Sequence, residues 1–201
     1  GMSLTLFEDE ESIIQSLALT YETFNSFHSG PSGIDSALDT PRVWNETDQL
    51  LGISLGFADH LTLAVFYAWY ISPNNSYETI DEVDFVLSWD DAAFWASLGI
   101  EDWGGVQPYV QIAIELQNQS DGGYEEGTYC EIGIAPAFTL YECDDFYLSL
   151  SIPVTVGLSL GDYFEDANDA DDTFGFLDVG FDFAVPMTFM PEWSGPWEFM
   201  I

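Results

Sequence analysis

Residues 146–161 read FYLSLSIPVTVGLSLG, and every second residue is large and apolar: Phe146, Leu148, Leu150, Ile152, Val154, Val156, Leu158 and Leu160. The alternate set is Tyr147, Ser149, Ser151, Pro153, Thr155, Gly157, Ser159 and Gly161, mostly small and weakly polar. A strict period of two predicts a β-strand with one greasy and one wet face. Its length exceeds the usual strand of about 5–6 residues. It would cover a transmembrane strand of roughly 9–11 residues. The apolar face carries no charge, so whether it meets lipid or a protein core decides the class of the molecule.

The pattern recurs along the chain. Gln15–Phe24 sets Leu17, Leu19 and Tyr21 against Ala18, Thr20 and Glu22, and Gln49–Ala58 sets Leu51, Ile53, Leu55 and Phe57 against Gly52, Ser54 and Gly56. Leu61–Ile71, Thr79–Asp90, Val106–Leu116, Tyr129–Leu140 and Thr173–Phe189 are further expected strands, with short ones at Phe94–Leu98 and Trp197–Ile201. Asn25–Asp48 reads as a long loop and Asp59-His60 as a tight hairpin turn. No helix is expected. Residues 1–14 form an acidic lead-in, and residues 15–201 form one domain that is short of a complete last strand. The expected fold is all-β: an antiparallel up-and-down meander of about 8–10 strands closed into a transmembrane-type barrel. Pro108, Pro136, Pro153 and Pro186 fall inside expected strands, where each removes a ladder hydrogen bond, and they read as bends that let a sheet curve.

Charge narrows the function. One basic residue, Arg42, stands against 36 acids, for a net charge of −35. Phosphate reading needs clustered Lys and Arg, so nucleic acid is excluded as a partner. Docking on anionic lipid heads is disfavoured for the same reason. A hydrophobic content of 47% is too high for an acidic disordered chain. The acids concentrate in the loops (DEVD, DGGYEEG, ECDD and GDYFEDANDADD), whereas wet strand faces are mostly Ser, Thr, Gly, Ala and Gln. High salt would screen such self-repulsion. Cys130 and Cys143 sit too far apart along an extended run to suggest a disulfide. No apolar run is long enough for a membrane helix, and GMSLTLFEDEES has neither the basic nor the apolar region of a signal peptide, so export implies a removed leader or a fragment.

Several constellations carry chemistry. The wet-face carboxylates Glu22, Asp84, Glu115, Glu131, Asp178 and Asp182 are candidate lumen-lining acids that would favour cations. The loop DYFEDANDADD offers Asp166, Asn168, Asp169, Asp171 and Asp172 as a candidate calcium loop, without the EF-hand order. No cofactor is implied. Neither histidine pairs with a nucleophile, and no hydrolase or metalloprotease motif occurs, so no catalytic residue is assigned. The nearest enzyme reading is a glycosidase-like pair, Glu82 and Asp84, which so acidic a chain produces by chance. Aromatics gather near strand ends, as in the girdles of membrane barrels, and core packing would gather them equally.

The segments LSLSIPVTVGLSLGDYFE and DDTFGFLDVGFDFAVPMTFMP, with EVDFVLSWDD, LTLAVFYAWYISPN, YCEIGIAPAFTL and LALTYETF, resemble bacterial outer-membrane β-barrel proteins of the TorF porin type. The likeness spans most of Leu17–Pro191 as strand-and-loop texture and transfers no functional residue. It implies an outer-membrane location, a lipid bilayer as partner, and a transport role as a small porin or structural barrel passing cations or small solutes. The scarcity of Lys and Arg departs from the family's pattern. The competing expectation is a soluble acidic β-barrel or sandwich that binds a small molecule or carbohydrate.

Overall fold

The computed structural model describes residues 1–9, 11–28, 44–58, 60–75, 77–100, 103–120, 125–143, 146–165, 170–186 and 198–201. Strands β1 (Met2–Glu8), β2 (Ile14–Phe27), β3 (Trp44–Phe57), β4 (Leu61–Ile71) and β5 (Ile80–Trp89) precede one short helix, α1 (Ala92–Ser97). Then come β6 (Tyr109–Gln117), β7 (Thr128–Ile134), β8 (Ala137–Cys143), β9 (Phe146–Ser151), β10 (Val154–Gly161), β11 (Phe174–Val179), β12 (Asp182–Pro186) and β13 (Glu198–Met200). A nine-stranded sheet has the order β1-β2-β3-β4-β5-β6-β7-β10-β11, and a four-stranded sheet has the order β13-β12-β9-β8. The fold is all-β and sheet-rich, with antiparallel neighbours wherever register is resolved. Neither sheet is closed among the described residues. By contact density the chain divides into one unit of residues 1–87, 110–131 and 157–175, and a second of residues 88–109, 132–156 and 176–201.

The expected meander holds in order, but three long runs are broken. Tyr129–Leu140 splits at Ala135-Pro136, Phe146–Gly161 splits at Ile152-Pro153, and the last run splits at Gly180-Phe181. Proline lacks the N–H that a ladder needs. Its carbonyl still accepts, so the Ile152 N–H bonds Pro136 O at 3.0 Å and the Gly180 N–H bonds Pro153 O at 3.0 Å. Pro108 is not an interior bend, since it precedes β6, and Pro186 is the last described residue of β12.

Other expectations are corrected at the ends of elements. The acidic lead-in is largely strand, because Met2, Leu4 and Thr5 pair with Tyr21, Leu19 and Ala18. The loop expected at Asn25–Asp48 is shorter, since Asn25, Ser26 and Phe27 pair with Thr47, Glu46 and Trp44. Phe27 stacks on Trp44 with ring centroids 6.0 Å apart, an aromatic pair that extends the ladder beyond the apolar pattern. Three residues, Ala58 to His60, link β3 to β4, and Asp59 lies outside the described residues.

The strand expected at Phe94–Leu98 is helix. Three alanines and no β-branched residue favour the helix over the two-residue alternation of Phe94, Ala96 and Leu98. The Ala92 N–H bonds Asp90 Oδ1 at 3.1 Å at its start. At its end Gly99, at φ +89°, turns back so that its N–H reaches Ala96 O at 2.9 Å. Asp91 does not cap this helix. Its carboxylate, 1% exposed, accepts from Trp95 Nε1 at 2.7 Å, the Gln107 N–H at 2.9 Å and the Val106 N–H at 3.2 Å. Gly105, at φ +87°, passes so close that a Cβ would meet Asp91 Oδ1 at 2.0 Å. One carboxylate thus ties the helix to the segment entering β6.

Burial alone would raise the Asp91 carboxyl, but the Gln107 N–H, the Trp95 indole and the Val106 N–H outweigh it and hold the carboxyl below the usual carboxylate range. A lowered folded pKa means that the stabilisation is complete above the unfolded value of about 3.9 and is lost as pH falls through the lower folded value. Asp91→Ala strands three donors, each worth about 1–3 kcal/mol when left unsatisfied. The expected outcome is loss of the near-ultraviolet circular dichroism of the Trp95–Trp103 cluster at neutral pH, which the wild type shows only in strong acid.

Candidate functional site

The face of the large sheet that alternation marks as polar is the buried one. On β5, Glu82 and Asp84 share a face at i and i+2 and are 2% and 1% exposed. The neighbouring β6 buries Ala113 and Glu115 but exposes Ile114 and Leu116. On β10, Gly157 and Ser159 are buried and Leu160 is exposed. The paired strands agree: Gly52 faces Phe66 and Thr20 on the buried side, whereas Ile53, beside Leu19 and Val65, is 49% exposed. Phe85 and Leu87 complete the exposed apolar face on β5. This alternation inverts that of an ordinary soluble sheet, which hides its aliphatics.

Loops fold over the buried acids. Glu115 accepts from the Ser120 N–H at 2.6 Å and the Gly127 N–H at 2.7 Å, which anchors both ends of the β6–β7 link. Tyr163, just after β10, donates to Glu82 Oε1 at 3.4 Å, and its own N–H bonds Ser159 Oγ at 3.1 Å. Its ring lies 4.9 Å from that of Tyr129 and 5.1 Å from that of Phe164. Tyr70 also hydrogen-bonds Glu82, whose nearest like charges are Asp84 and Glu115. Burial, then the Glu82 carboxylate, push the Tyr163 phenol well above its usual range, so it stays a donor.

Two buried carboxylate oxygens have no hydrogen-bond partner: Asp84 Oδ1 and Asp48 Oδ1. The chain's single Lys or Arg is Arg42, outside the described residues, and the two histidines, His28 and His60, are exposed. No basic side chain among the described residues is therefore available to neutralise the cluster.

Of the six candidate lumen acids, Asp84 and Glu115 enter this cluster. Glu131 is half-buried and accepts from the Tyr129 hydroxyl. Glu22 and Asp178 are exposed and Asp182 is half-buried, because strand ends and the sheet edge leave their side chains uncovered. Glu82, weighed only as half of an enzyme pair, belongs to the cluster by its parity with Asp84. Tyr70, Tyr163 and Asp48 gave no signal of a place in it, since their roles depend on loop placement and cross-strand register. In the candidate calcium loop, Asp166, Asn168 and Asp169 lie outside the described residues. Asp171 instead accepts from Ser159 and bridges to Glu165, and Asp172 is exposed. Among the described residues no three His, Cys, Asp or Glu side chains converge to hold a metal ion. Cys130 is a buried free thiol.

A separate open groove of about 750 Å³ is lined by Ile100, Trp103, Phe138, Leu140, Tyr141 and Glu142, with Thr139. It follows the outer edge of β8, and Trp103 stacks on Phe138 at 6.1 Å. It is mostly apolar and holds none of the buried acids. No family model, no curated protein and no solved structure matches the chain.

Glu115→Ala removes the acceptor of both loop anchors, at a cost of about 1–3 kcal/mol for each orphaned N–H. Amide exchange at Ser120 and Gly127 is expected to accelerate at least tenfold, with little change at Ala68 or Ile53.

Proposed function

We propose that this chain is an outer-membrane β-barrel, a small porin or structural barrel with an acidic, cation-preferring interior. The observation that carries the reading is the inverted sheet. A row of exposed apolar side chains (Leu19, Ile53, Phe85, Ile114, Ile132 and Leu160) alternates with buried Gly, Ala, Ser and carboxylate positions. In water such a face costs free energy, whereas in hydrocarbon it is the required outer surface of a barrel. No helix among the described residues is long and apolar enough to cross a membrane.

Closure is part of the proposal. Counting each broken run once, the thirteen strands among the described residues reduce to ten antiparallel runs. An even number joins without a parallel seam, as single-chain bacterial barrels do. All residues of β1 and of β11 are exposed, and open edges of that kind do not persist in lipid. Tyr67 and Trp69, with rings 4.6 Å apart, and Trp89, whose ring meets Phe94, supply aromatics at strand ends.

The competing readings fit less well. A glycosidase needs two carboxylates that meet a sugar ring, and Glu82 and Asp84 are sealed beneath tyrosines. A carbohydrate cleft needs several polar groups around its aromatics, and the β8 groove offers Thr139, Glu142 and the Tyr141 hydroxyl. An interior occupied by Tyr70, Tyr129, Tyr163 and loop backbone favours a narrow or filled barrel over a wide channel, as the small strand number implies.

The deciding experiment is refolding with and without detergent, followed by circular dichroism and gel mobility before and after boiling. Folding only in detergent, with a heat-sensitive mobility shift, supports the barrel; a well-folded monomer in plain buffer overturns it. Leu51→Arg separates the same alternatives. Facing lipid, it is expected to destabilise the bilayer-refolded protein by up to about 2–4 kcal/mol, depending on depth. On a solvated face it changes stability by no more than about 0.5 kcal/mol. Urea titration in liposomes measures the difference.

A further inference from the structure

We propose that Asp84 and Glu82, with Glu115 beside them, hold a hard, oxygen-seeking cation that keeps part of its hydration shell. Asp84 is 1% exposed, and its Oδ1 is aimed into the covered face without a hydrogen-bond partner. A buried charge persists only when paired, coordinated or neutralised. Among the described residues no Lys or Arg is present to pair with it. Protonation removes the charge but still leaves Oδ1 without a hydrogen-bond partner, whether as donor or as acceptor. A cation supplies what Oδ1 lacks.

The class of ion follows from the ligands. Carboxylate, phenol and water oxygens select hard cations over thiophilic ones. No three acidic side chains converge within direct coordination reach, so the protein contributes one or two oxygens and retained water completes the shell. That is the manner of Mg²⁺ and of the alkali ions, more than of a fully caged Ca²⁺. Glu115 already accepts the Ser120 and Gly127 N–H groups and Glu82 accepts from Tyr70 and Tyr163. Both therefore add charge and a spare lone pair, and Asp84 Oδ1 is the oxygen with no other partner. The inference deepens the reading of an acidic interior by naming its solute class, but it rests on burial and charge within the sheet and not on lipid.

The test uses the folded full chain, in detergent or in buffer according to which sustains the fold, stripped with chelator and exchanged into choline chloride. Thermal unfolding is then followed against Na⁺, K⁺, Mg²⁺ or Ca²⁺ at matched ionic strength. The expected result is a saturable rise of roughly 5–10 °C at a hundredfold excess over half-saturation. The ion that gives it at lowest concentration identifies the occupant. The rise is expected to vanish in Asp84→Asn and to persist in Asp172→Asn, which alters an exposed loop acid. Equal stabilisation by choline reduces the effect to screening and overturns the proposal, as does an undiminished rise in Asp84→Asn. Infrared difference spectra of the wild type cover the case in which the variant fails to fold. Carboxylate bands that shift on adding the ion support the site, and a protonated carboxyl band that survives saturating cation refutes it. The medium that sustains the fold, with the mobility shift on boiling, reports separately on the membrane reading.

Discussion

Everything in the large sheet depends on which side of a period-two strand is hidden. A slip of one residue exchanges the two faces completely, so a sheet cannot be partly inverted. In β5, β6 and β10 the buried residues keep one parity, that of Asp84, Glu115 and Ser159, whereas β3 buries both Gly52 and, nearer its start, Thr47. The choice is cooperative along the ladder, because Leu19, Ile53 and Val65 sit in one cross-strand row and Thr20, Gly52 and Phe66 in the next. Small residues on the buried side make room for a few large ones. Gly133 lies so close under Tyr109 that a Cβ would meet the ring at 2.4 Å, and Tyr109 spans that space to reach Thr155 Oγ1 at 3.2 Å. A glycine covered by a neighbour's aromatic ring is how a sheet keeps packing density where side chains are absent.

Buried polar strands demand partners, and the loops provide them. The Ser120 and Gly127 N–H groups on Glu115, and Tyr163 on Glu82 and Ser159, turn loop backbone and phenols into the complement of the sheet's polar face. In a soluble protein a second apolar layer would cover the sheet. Here the cover combines loop N–H groups and phenols with the Tyr129, Tyr163 and Phe164 rings, so the carboxylates are buried beside a small apolar set that includes Phe66, Ile80 and Ala113. The loops are therefore part of the packing, in contrast to the mobile connections usual on a surface.

The run of alternating residues made the all-β class and the strand order legible. Parity placed Asp84 and Glu115 on the face that is hidden, because period two survives any tertiary arrangement. What alternation does not encode is the end of a ladder. Phe27 and Trp44 extend β2 and β3 through an aromatic contact across the sheet, invisible in either strand alone. Prolines were legible as interruptions but not as places where a run leaves one sheet for another. The helix at Ala92–Ser97 was hidden because six residues satisfy either period, and only alanine propensity and the Asp91 contacts decide between them. Tyr163 stood out only as one of the aromatics near strand ends, since its bond to Glu82 arises from a loop meeting a strand some eighty positions away.

The near-absence of basic residues gains a physical meaning from this arrangement. A sheet that buries three carboxylates would normally recruit Arg, whose rigid fork satisfies two oxygens at once. With a single Arg in the chain and none among the described residues, these carboxylates are left to protons or to ions in the medium for neutralisation. The acidic loops work in the same direction, because a surface carrying this charge concentrates cations around the molecule and draws them toward its acids. Surface and interior are then two parts of one electrostatic arrangement: the loops gather counter-ions, and Asp84, deep on the covered face, is where one of them would be held.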